Sequence, residues 1–399
     1  MVKENNKNLI NEFKRHFGLA DVSLYHVPGR TELGGNHTDH QNGQVLAAAL
    51  DIEISAAASI SSIDDAIKEG NKSADIISIY SEGYGYIELD IDDLSPRQDE
   101  VGTTKALVRG VLAGLADRGF KIGAFKAYIN SDIPAGAGLS SSAAFEVLIG
   151  KIQSELYNDG SVSYVELAQI GQEAENKYFG KPCGLMDQIA CASETTVYIN
   201  FAYDGCPIIE EIDFDFESCG YSLCITNTGG SHADLTDEYA AITNEMKAVA
   251  EIFGQEKLRG ITAEQLIGRA AEIRSKVGDR AFLRALHFAS ETLRARQQAD
   301  ALKDGDFQEF LRLVKASGDS SYKLLQNIYA EVTDQAIAVG LAVSEAVLGE
   351  DGVCRVHGGG FGGTIQAFVK KDAVARYEEA MDKLFGDGAC KVLNMVGSR

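Results

Sequence analysis

The chain has 399 residues, 45% of them hydrophobic, and a formal net charge of −22 at pH 7. This size and composition predict a globular protein with a sizeable core and about two or three domains. The negative charge argues against nucleic acid or an anionic membrane surface as a partner.

The first seventeen residues are polar and charged, and no later run of about eighteen apolar residues occurs. The seven cysteines include no CxxC pair, so neither a disulfide framework nor a zinc site is indicated. We therefore expect a cytoplasmic protein with reduced thiols.

Periodicity predicts alternating strands and helices in the first half, and mainly helices from about residue 234 to 348. Strands are predicted near 22–27, 50–60, 76–90, 123–130, 195–201, 208–214, 221–227, 353–357, 364–370 and 390–395. Helices are predicted near 4–17, 103–118, 141–157, 163–179, 234–254, 262–270, 278–303, 306–327, 333–348 and 372–386. We expect a domain boundary near 200–210, which would divide the chain into 1–205 and 206–399.

The first unusual segment, residues 27–43, is rich in glycine and polar side chains and has no periodicity. We interpret it as a shaped loop rather than a core element. Its Asn, His and Asp side chains can hydrogen-bond several hydroxyls at once, as binding a sugar demands. An ordinary solvated loop is the alternative, and we do not expect His37 and His40 to hold a metal, since no further His or Cys lies nearby.

The second segment, residues 133–144, is the most informative one. A strand pattern precedes it, a helical pattern follows it, and the loop between them is rich in glycine and ends in three serines. Glycines allow close backbone approach, and a helix N-terminus favours anions. We interpret the segment as a phosphate cradle, with an ordinary capped helix as the alternative.

The chain contains no Walker A motif, because neither Gly150-Lys151 nor Gly180-Lys181 is followed by a hydroxyl residue. Residues 358–363 match GxGxxG, but a strand pattern rather than a helix follows them. A hairpin whose backbone passes close to a ligand or another segment fits better than a dinucleotide site.

The third segment, residues 175–188, supplies Glu175 and Asp187. Taken alone, Glu175 could be a solvated helix residue and Asp187 a helix cap. Phosphoryl transfer, however, needs a metal-binding carboxylate, a phosphate cradle and a group that positions the nucleophile. The sequence supplies a candidate for each.

These segments, in this order, resemble the galactokinase branch of the GHMP small-molecule kinases over nearly the whole chain. Residues 29–39 resemble the family's sugar-binding signature, 134–143 its ATP-phosphate motif, 182–188 its catalytic-aspartate segment and 358–363 its C-terminal glycine motif. Residues 226–239 resemble the strand and helix that carry a sugar-contacting tyrosine. The resemblance implies an α+β, two-lobed fold with an N-terminal lobe like domain 2 of ribosomal protein S5, a ferredoxin-like C-terminal lobe and an active site in the cleft between them.

The resemblance also implies transfer of the ATP γ-phosphoryl group to the C1 hydroxyl of an aldohexose. We expect the enzyme to be cytoplasmic and monomeric. Asp187 would accept or orient the hydroxyl proton, and Arg30 would stabilise charge. Magnesium would be held by Ser142 and Glu175. The implied sugar-site residues are Asn36, His37, Asp39, Gly184 and Tyr239. The implied nucleotide-binding residues are Gly136, Ala137, Gly138, Leu139, Ser140, Ser141 and Ser142.

One departure from the family pattern is Asn36, which stands where the family usually has a glutamate facing the C6 end of the sugar. An amide there could weaken binding of a C6 hydroxyl or tolerate a C6 carboxylate. Galactose is the first expectation. The alternatives are galacturonate, N-acetylgalactosamine, a sugar sensor without turnover, or a GHMP kinase of a non-sugar substrate.

Overall fold

The computed structural model describes residues 2–18, 21–61, 75–134, 138–181, 183–202, 206–230 and 235–396. The described chain is α+β, as predicted. It forms two compact units, one made of Met1–Gly29, Ile52–Pro134 and Ser140–Glu194, and the other of Arg30–Asp51, Ala135–Leu139 and Thr195–Arg399. The units interleave along the chain, and the predicted division at residue 205 stays a prediction.

The strands are β1 (Ser23–Gly34), β2 (Gln44–Ile60), β3 (Ile76–Ser81), β4 (Gly85–Asp90), β5 (Phe125–Ser131), β6 (Thr196–Asn200), β7 (Ile208–Glu211), β8 (Tyr221–Asn227), β9 (Gly352–His357), β10 (Thr364–Lys370) and β11 (Cys390–Leu393). The α-helices are α1 (Val2–Phe17), α2 (Thr104–Asp117), α3 (Ser141–Tyr157), α4 (Tyr164–Ala174), α5 (Met186–Ser193), α6 (Thr236–Ile252), α7 (Ala263–Gly268), α8 (Ala270–Val277), α9 (Asp279–Lys303), α10 (Phe307–Ser320), α11 (Ala336–Leu348) and α12 (Val374–Phe385).

In the first unit, β3 pairs antiparallel with β4 and parallel with β5, and β5 pairs antiparallel with the second half of β2. Helix α1 places Leu9 and Phe13 in a buried cluster with Ala57 and Tyr128 of the sheet. Helices α3, α4 and α5 pack against one another. This packing brings the N-terminus of α3 and that of α5 to one site.

In the second unit, the first half of β2 pairs with β6, and β6 pairs with β7. A separate antiparallel sheet has the order β11-β8-β10-β9. Thr364 pairs with His357 at the start of β10, so the glycine-rich residues 358–363 connect β9 and β10 as a hairpin. The hairpin prediction is confirmed.

The prediction of residues 27–43 as a loop outside the core was wrong for its first half. Strand β1 continues through Gly34, and its residues from Val27 onward are buried. The polar side chains of this stretch are tolerated there because they find partners far along the chain, such as Arg355 for Glu32.

Several other boundaries also differ from the predictions. Residues 76–90 form two strands rather than one, and α8 was not predicted as a separate helix. The helices predicted to reach 179 and 327 end earlier and continue as single π-helical turns, Glu175–Phe179 and Ser321–Leu325. No helix in the described ranges is both long enough and apolar enough to cross a membrane.

Candidate active site

Ser140 connects the predicted phosphate loop to the predicted catalytic aspartate. It precedes α3 in the left-handed conformation, with φ 58°, and its side chain does not cap that helix. Instead, Ser140 Oγ donates a hydrogen bond to Asp187 Oδ2 at 2.5 Å. The α3 N-terminus is therefore not the ordinary serine-capped helix of the alternative interpretation, and its first amides can face an anion.

Asp187 lies in the first turn of α5, half-buried. No side chain caps α5 at its N-cap residue, Leu185. The Asp187 carboxylate is thus bonded to the hydroxyl of a neighbouring loop, which fits a positioned functional group better than a simple helix cap.

Glu175 and Ser142 form the predicted metal pair. Ser142 Oγ donates to Glu175 Oε1 at 3.2 Å, and the Glu175 residue is only 3% exposed. Glu175 begins the π-helical turn after α4, a distortion often found at functional sites. Hydroxyl and carboxylate oxygens are the ligands that a hard cation prefers, so these residues fit Mg²⁺.

The buried side chains of Gln188 and Glu146 lie next to Glu175 of the metal pair. Gln188 Nε2 donates to Glu175 Oε2 and to Glu146 Oε2, both at 3.1 Å. Burial and the nearby Glu175 carboxylate raise the pKa of Glu146 well above its usual value. Glu146 is therefore a carboxyl that favours its neutral form, and Gln188 fixes the orientation of Glu175.

Arg30 is buried in β1 and contacts the phosphate loop. Its Nη1 donates to the carbonyl of Gly138 at 2.5 Å, and its backbone N–H donates to Leu139 O at 3.4 Å. The arginine thereby fixes the end of the loop that leads into Ser140. Gly136 and Ala137, also predicted to bind nucleotide, lie outside the described residues.

Three side chains of the predicted sugar site bind three successive carbonyls of the glycine hairpin. Asn36 Nδ2 donates to Gly358 O at 2.7 Å, His37 Nε2 lies 3.0 Å from Gly359 O, and Tyr239 OH donates to Gly360 O at 2.8 Å. Gly359 has no room for a side chain, since a Cβ there would lie 2.6 Å from the Tyr239 ring. The structure thus brings these sequence-distant predictions together within the second unit.

The amide of Asn36 is fully engaged by the protein. The residue is 1% exposed, its Nδ2 also lies 3.2 Å from both carboxylate oxygens of Glu32, and its Oδ1 accepts from Ser321 and Asn327. Burial raises the pKa of Glu32, against the opposing effect of Arg355. In this structure Asn36 organises a buried network, and contact with a sugar stays a prediction.

The two histidines of the segment favour the neutral form. Burial lowers the pKa of His37 to about 4, although the hydrogen bond to Gly359 opposes this, and burial lowers that of His40 to about 3. Asp39 Oδ1 accepts from the backbone N–H of His40 at 2.8 Å. Gly184 lies in the first unit, three residues before Asp187.

Two family models match the chain. Residues 106–195 match the GHMP kinases N terminal domain, and residues 11–60 match the galactokinase galactose-binding signature. A galactokinase of Actinobacillus pleuropneumoniae serotype 5b is 32% identical over 373 residues, which cover 90% of this chain and 88% of the relative. A galactokinase of Glaesserella parasuis is 33% identical over 383 residues, covering 94% and 91%. The chain belongs to the galactokinase family.

Solved structures of related kinases share the fold. A Lactococcus lactis galactokinase complexed with galactose superposes with a TM-score of 0.82 at 23% identity, over 99% of both chains. The mevalonate kinase of Methanococcus jannaschii superposes with a TM-score of 0.65 at 16% identity, over 95% of this chain and 99% of the other. The predicted two-lobed GHMP kinase fold and family resemblance are confirmed.

Sequence reasoning missed several residues of this galactokinase-family site. Glu146 could have been found, because it is a charged residue on a buried, apolar stretch of α3 and lies one turn beyond Ser142. Gln188 could have been found in the same way, because it is a polar residue that directly follows Asp187 in a mostly apolar helix. Glu32 and Arg355 gave no local signal, since 323 residues separate them.

Proposed function

We propose that this chain transfers the γ-phosphoryl group of ATP to the C1 hydroxyl of galactose, giving galactose 1-phosphate and ADP. The observation that carries the proposal is the pair of serine contacts at the start of α3. Ser140 donates a hydrogen bond to Asp187, the proposed group that positions the nucleophile. Ser142 donates a hydrogen bond to Glu175, the proposed metal ligand, so two neighbouring serines contact both groups. Phosphoryl transfer needs these two groups close to a phosphate cradle.

In this mechanism Asp187 accepts a hydrogen bond from the sugar C1 hydroxyl, orients its oxygen toward the phosphorus and takes its proton as the new bond forms. Arg30 provides fixed positive charge for the transferring group and holds the loop through Gly138. The amides at the start of α3 bind phosphate oxygens.

Magnesium is part of the proposal, and its fit depends on the oxygen donors of Ser142 and Glu175. Bound there with ATP, it would neutralise charge on the phosphate oxygens. Gln188 holds one carboxylate oxygen of Glu175, which leaves the other oxygen to face Ser142. The protein thus presents a preoriented oxygen pair.

Galactose is preferred over galacturonate and N-acetylgalactosamine as the substrate, because the relatives reported above carry the name galactokinase. The buried amide of Asn36 gives no support to a C6 carboxylate substrate, since its hydrogen-bonding atoms are paired within the protein. A cytoplasmic, monomeric enzyme is included in the proposal, with sedimentation velocity as the test of the monomer.

The deciding experiment is a panel of galactose, galacturonate, N-acetylgalactosamine, glucose and arabinose with ATP and Mg²⁺. Phosphorus NMR of the products identifies both the substrate and the phosphorylated oxygen. We expect an anomeric phosphate on galactose. Turnover of another sugar in preference would overturn the substrate, and binding of sugar and ATP without turnover would indicate a sensor.

A further inference from the structure

Lys181 is a charged residue at the proposed metal site that the proposed mechanism does not use. Its Nζ lies 3.1 Å from Glu175 Oε1, the same oxygen that accepts from Ser142 Oγ. The other oxygen of Glu175 is held by Gln188. The lysine side chain is 65% exposed, whereas the Glu175 side chain is 3% exposed. An ammonium group from the surface therefore reaches the one carboxylate oxygen that is turned toward Ser142.

We propose that Lys181 is a positioning residue that occupies this Glu175 oxygen in the nucleotide-free enzyme and gives it up to the divalent cation that enters with ATP. The inference rests on the proposed function, because it takes Ser142 and Glu175 as the metal pair. It adds a competition between a side-chain cation and the metal for one oxygen atom.

The charges around the site explain why a resident cation is useful. The carboxyl groups of Glu146 and Asp187 interact electrostatically with Glu175 or with Lys181. The ammonium of Lys181, in contact with Glu175, offsets the repulsion between the Glu175 and Asp187 carboxylates when no metal is bound.

The same charge opposes the metal. An ammonium and a divalent cation on one oxygen repel each other, and a metal ligand must present a bare lone pair. The ammonium has to leave Glu175 Oε1 before the metal binds there. Its side chain is long and mostly exposed, so the ammonium can move into solvent, and the entering metal then compensates the charge of the buried Glu175 carboxylate.

The chain contains a matched control in the same segment. Lys177 pairs with Glu173 at 3.3 Å, and its side chain is 64% exposed, nearly the same as that of Lys181. Glu173, however, pairs with Arg118 and does not contact Ser142. The Lys177–Glu173 pair therefore has the same chemistry and an equally exposed lysine, but its carboxylate is partly exposed and is not part of the metal pair.

The test is binding of Mn²⁺ alone to the nucleotide-free protein, measured by electron paramagnetic resonance of free Mn²⁺ and by calorimetry. Lys181→Met should bind Mn²⁺ about five- to tenfold more tightly than the unmodified protein, since a positive charge near the ligand oxygen is gone. Lys177→Met should change nothing, and Lys181→Arg, which keeps the charge, should bind Mn²⁺ as weakly as the unmodified protein.

Equal or weaker Mn²⁺ binding by Lys181→Met would overturn the inference, and so would an equal gain in Lys177→Met. Thermal melts check that all variants are folded. Failure of the proposed function gives a different result, because the unmodified protein would then not phosphorylate galactose with Mg²⁺ and ATP. If turnover is normal while Lys181→Met and Lys177→Met bind Mn²⁺ alike, only the inference about Lys181 is wrong.

Discussion

Ser140 shows how much of the proposed site depends on single side chains. A serine at φ 58° pays a conformational cost, since only glycine adopts this region readily. The hydrogen bond from its hydroxyl to Asp187 compensates by fixing the loop at the position where the helix amides begin. We infer that the backbone conformation of Ser140 sets the distance between the phosphate-binding loop and the Asp187 carboxylate.

Asp187→Asn tests the role of the Asp187 carboxylate. The amide keeps the shape and an oxygen that accepts from Ser140, so we expect the variant to fold and to bind ATP. Because the charge that positions the sugar hydroxyl is lost, kcat should fall by about two or more powers of ten. Steady-state kinetics measure this, with the exposed Asp159→Asn as a control. Near-normal turnover would show that Asp187 has only a structural role.

The metal pair is tested by combining Ser142→Ala with Glu175→Gln. Both changes remove oxygen ligands, so the Mg²⁺ concentration for half-maximal rate should rise by about tenfold or more, while the KM for galactose changes little. Glu173→Gln, two residues before Glu175, is the control and should leave both the Mg²⁺ requirement and the KM for galactose unchanged. A shift in the KM for galactose alone would mean that the ligands are assigned wrongly.

At the scale of elements, β1 and the loop after it form a buried polar network. Arg355 Nη2 donates to Glu32 Oε1 at 2.6 Å, and the Glu32 carboxylate accepts from Asn36. Gln366 Nε2 donates to Glu32 O at 3.0 Å. The network connects β1 to β9 and β10, and within it the Glu32 carboxylate accepts hydrogen bonds from the amide of Asn36 and the guanidinium of Arg355.

Asn36→Glu should therefore destabilise the protein. It would place a second buried carboxylate next to Glu32, and we expect a loss of about 2–4 kcal/mol in the free energy of unfolding. The double variant Glu32→Gln, Asn36→Glu restores one carboxylate and one amide and should recover at least half of that loss. Urea denaturation of the unmodified protein, of Asn36→Glu, of Glu32→Gln and of the double variant measures the coupling. Additive losses would contradict a direct Glu32–Asn36 interaction.

This network also explains what the sequence could predict and what it could not. Helix α3 was predicted with its observed bounds, because a glycine-rich loop and a regular apolar pattern define both ends. The buried part of β1 was missed, because Arg30 and Glu32 look solvated until their distant partners are known. The phosphate segment was proposed from local sequence features and the aspartate segment from the family resemblance. The partners of Asn36, in contrast, come from the chain around residues 287, 321, 327 and 358.

At the scale of the whole molecule, the sequence has a net charge of −22, and the described residues form many ion pairs, such as those of Arg296 with Glu210 and Asp300. Such exposed pairs contribute little stability individually. The buried titratable groups have larger effects on the response to acid, and they act in opposite directions. Raised carboxyl pKa values, as for Glu146, favour the folded state as pH falls, whereas lowered histidine pKa values disfavour it.

His40 allows one of these contributions to be isolated. Its pKa is about 3 in the folded protein, against about 6.5 for an unfolded chain. The unfolded state therefore binds more protons between these values, so the contribution of neutral His40 to stability is present above pH 6.5 and is lost as pH falls toward 3. Between pH 7.5 and pH 5, the loss attributable to His40 is about 2 kcal/mol. His40→Phe keeps an aromatic side chain and removes the titration. Between pH 7.5 and pH 5, the free energy of unfolding of both proteins is measured in urea. We expect the decrease in His40→Phe to be about 2 kcal/mol smaller than the decrease in the unmodified protein. An identical pH dependence in the two proteins would show that His40 is solvated enough to titrate normally in the folded state.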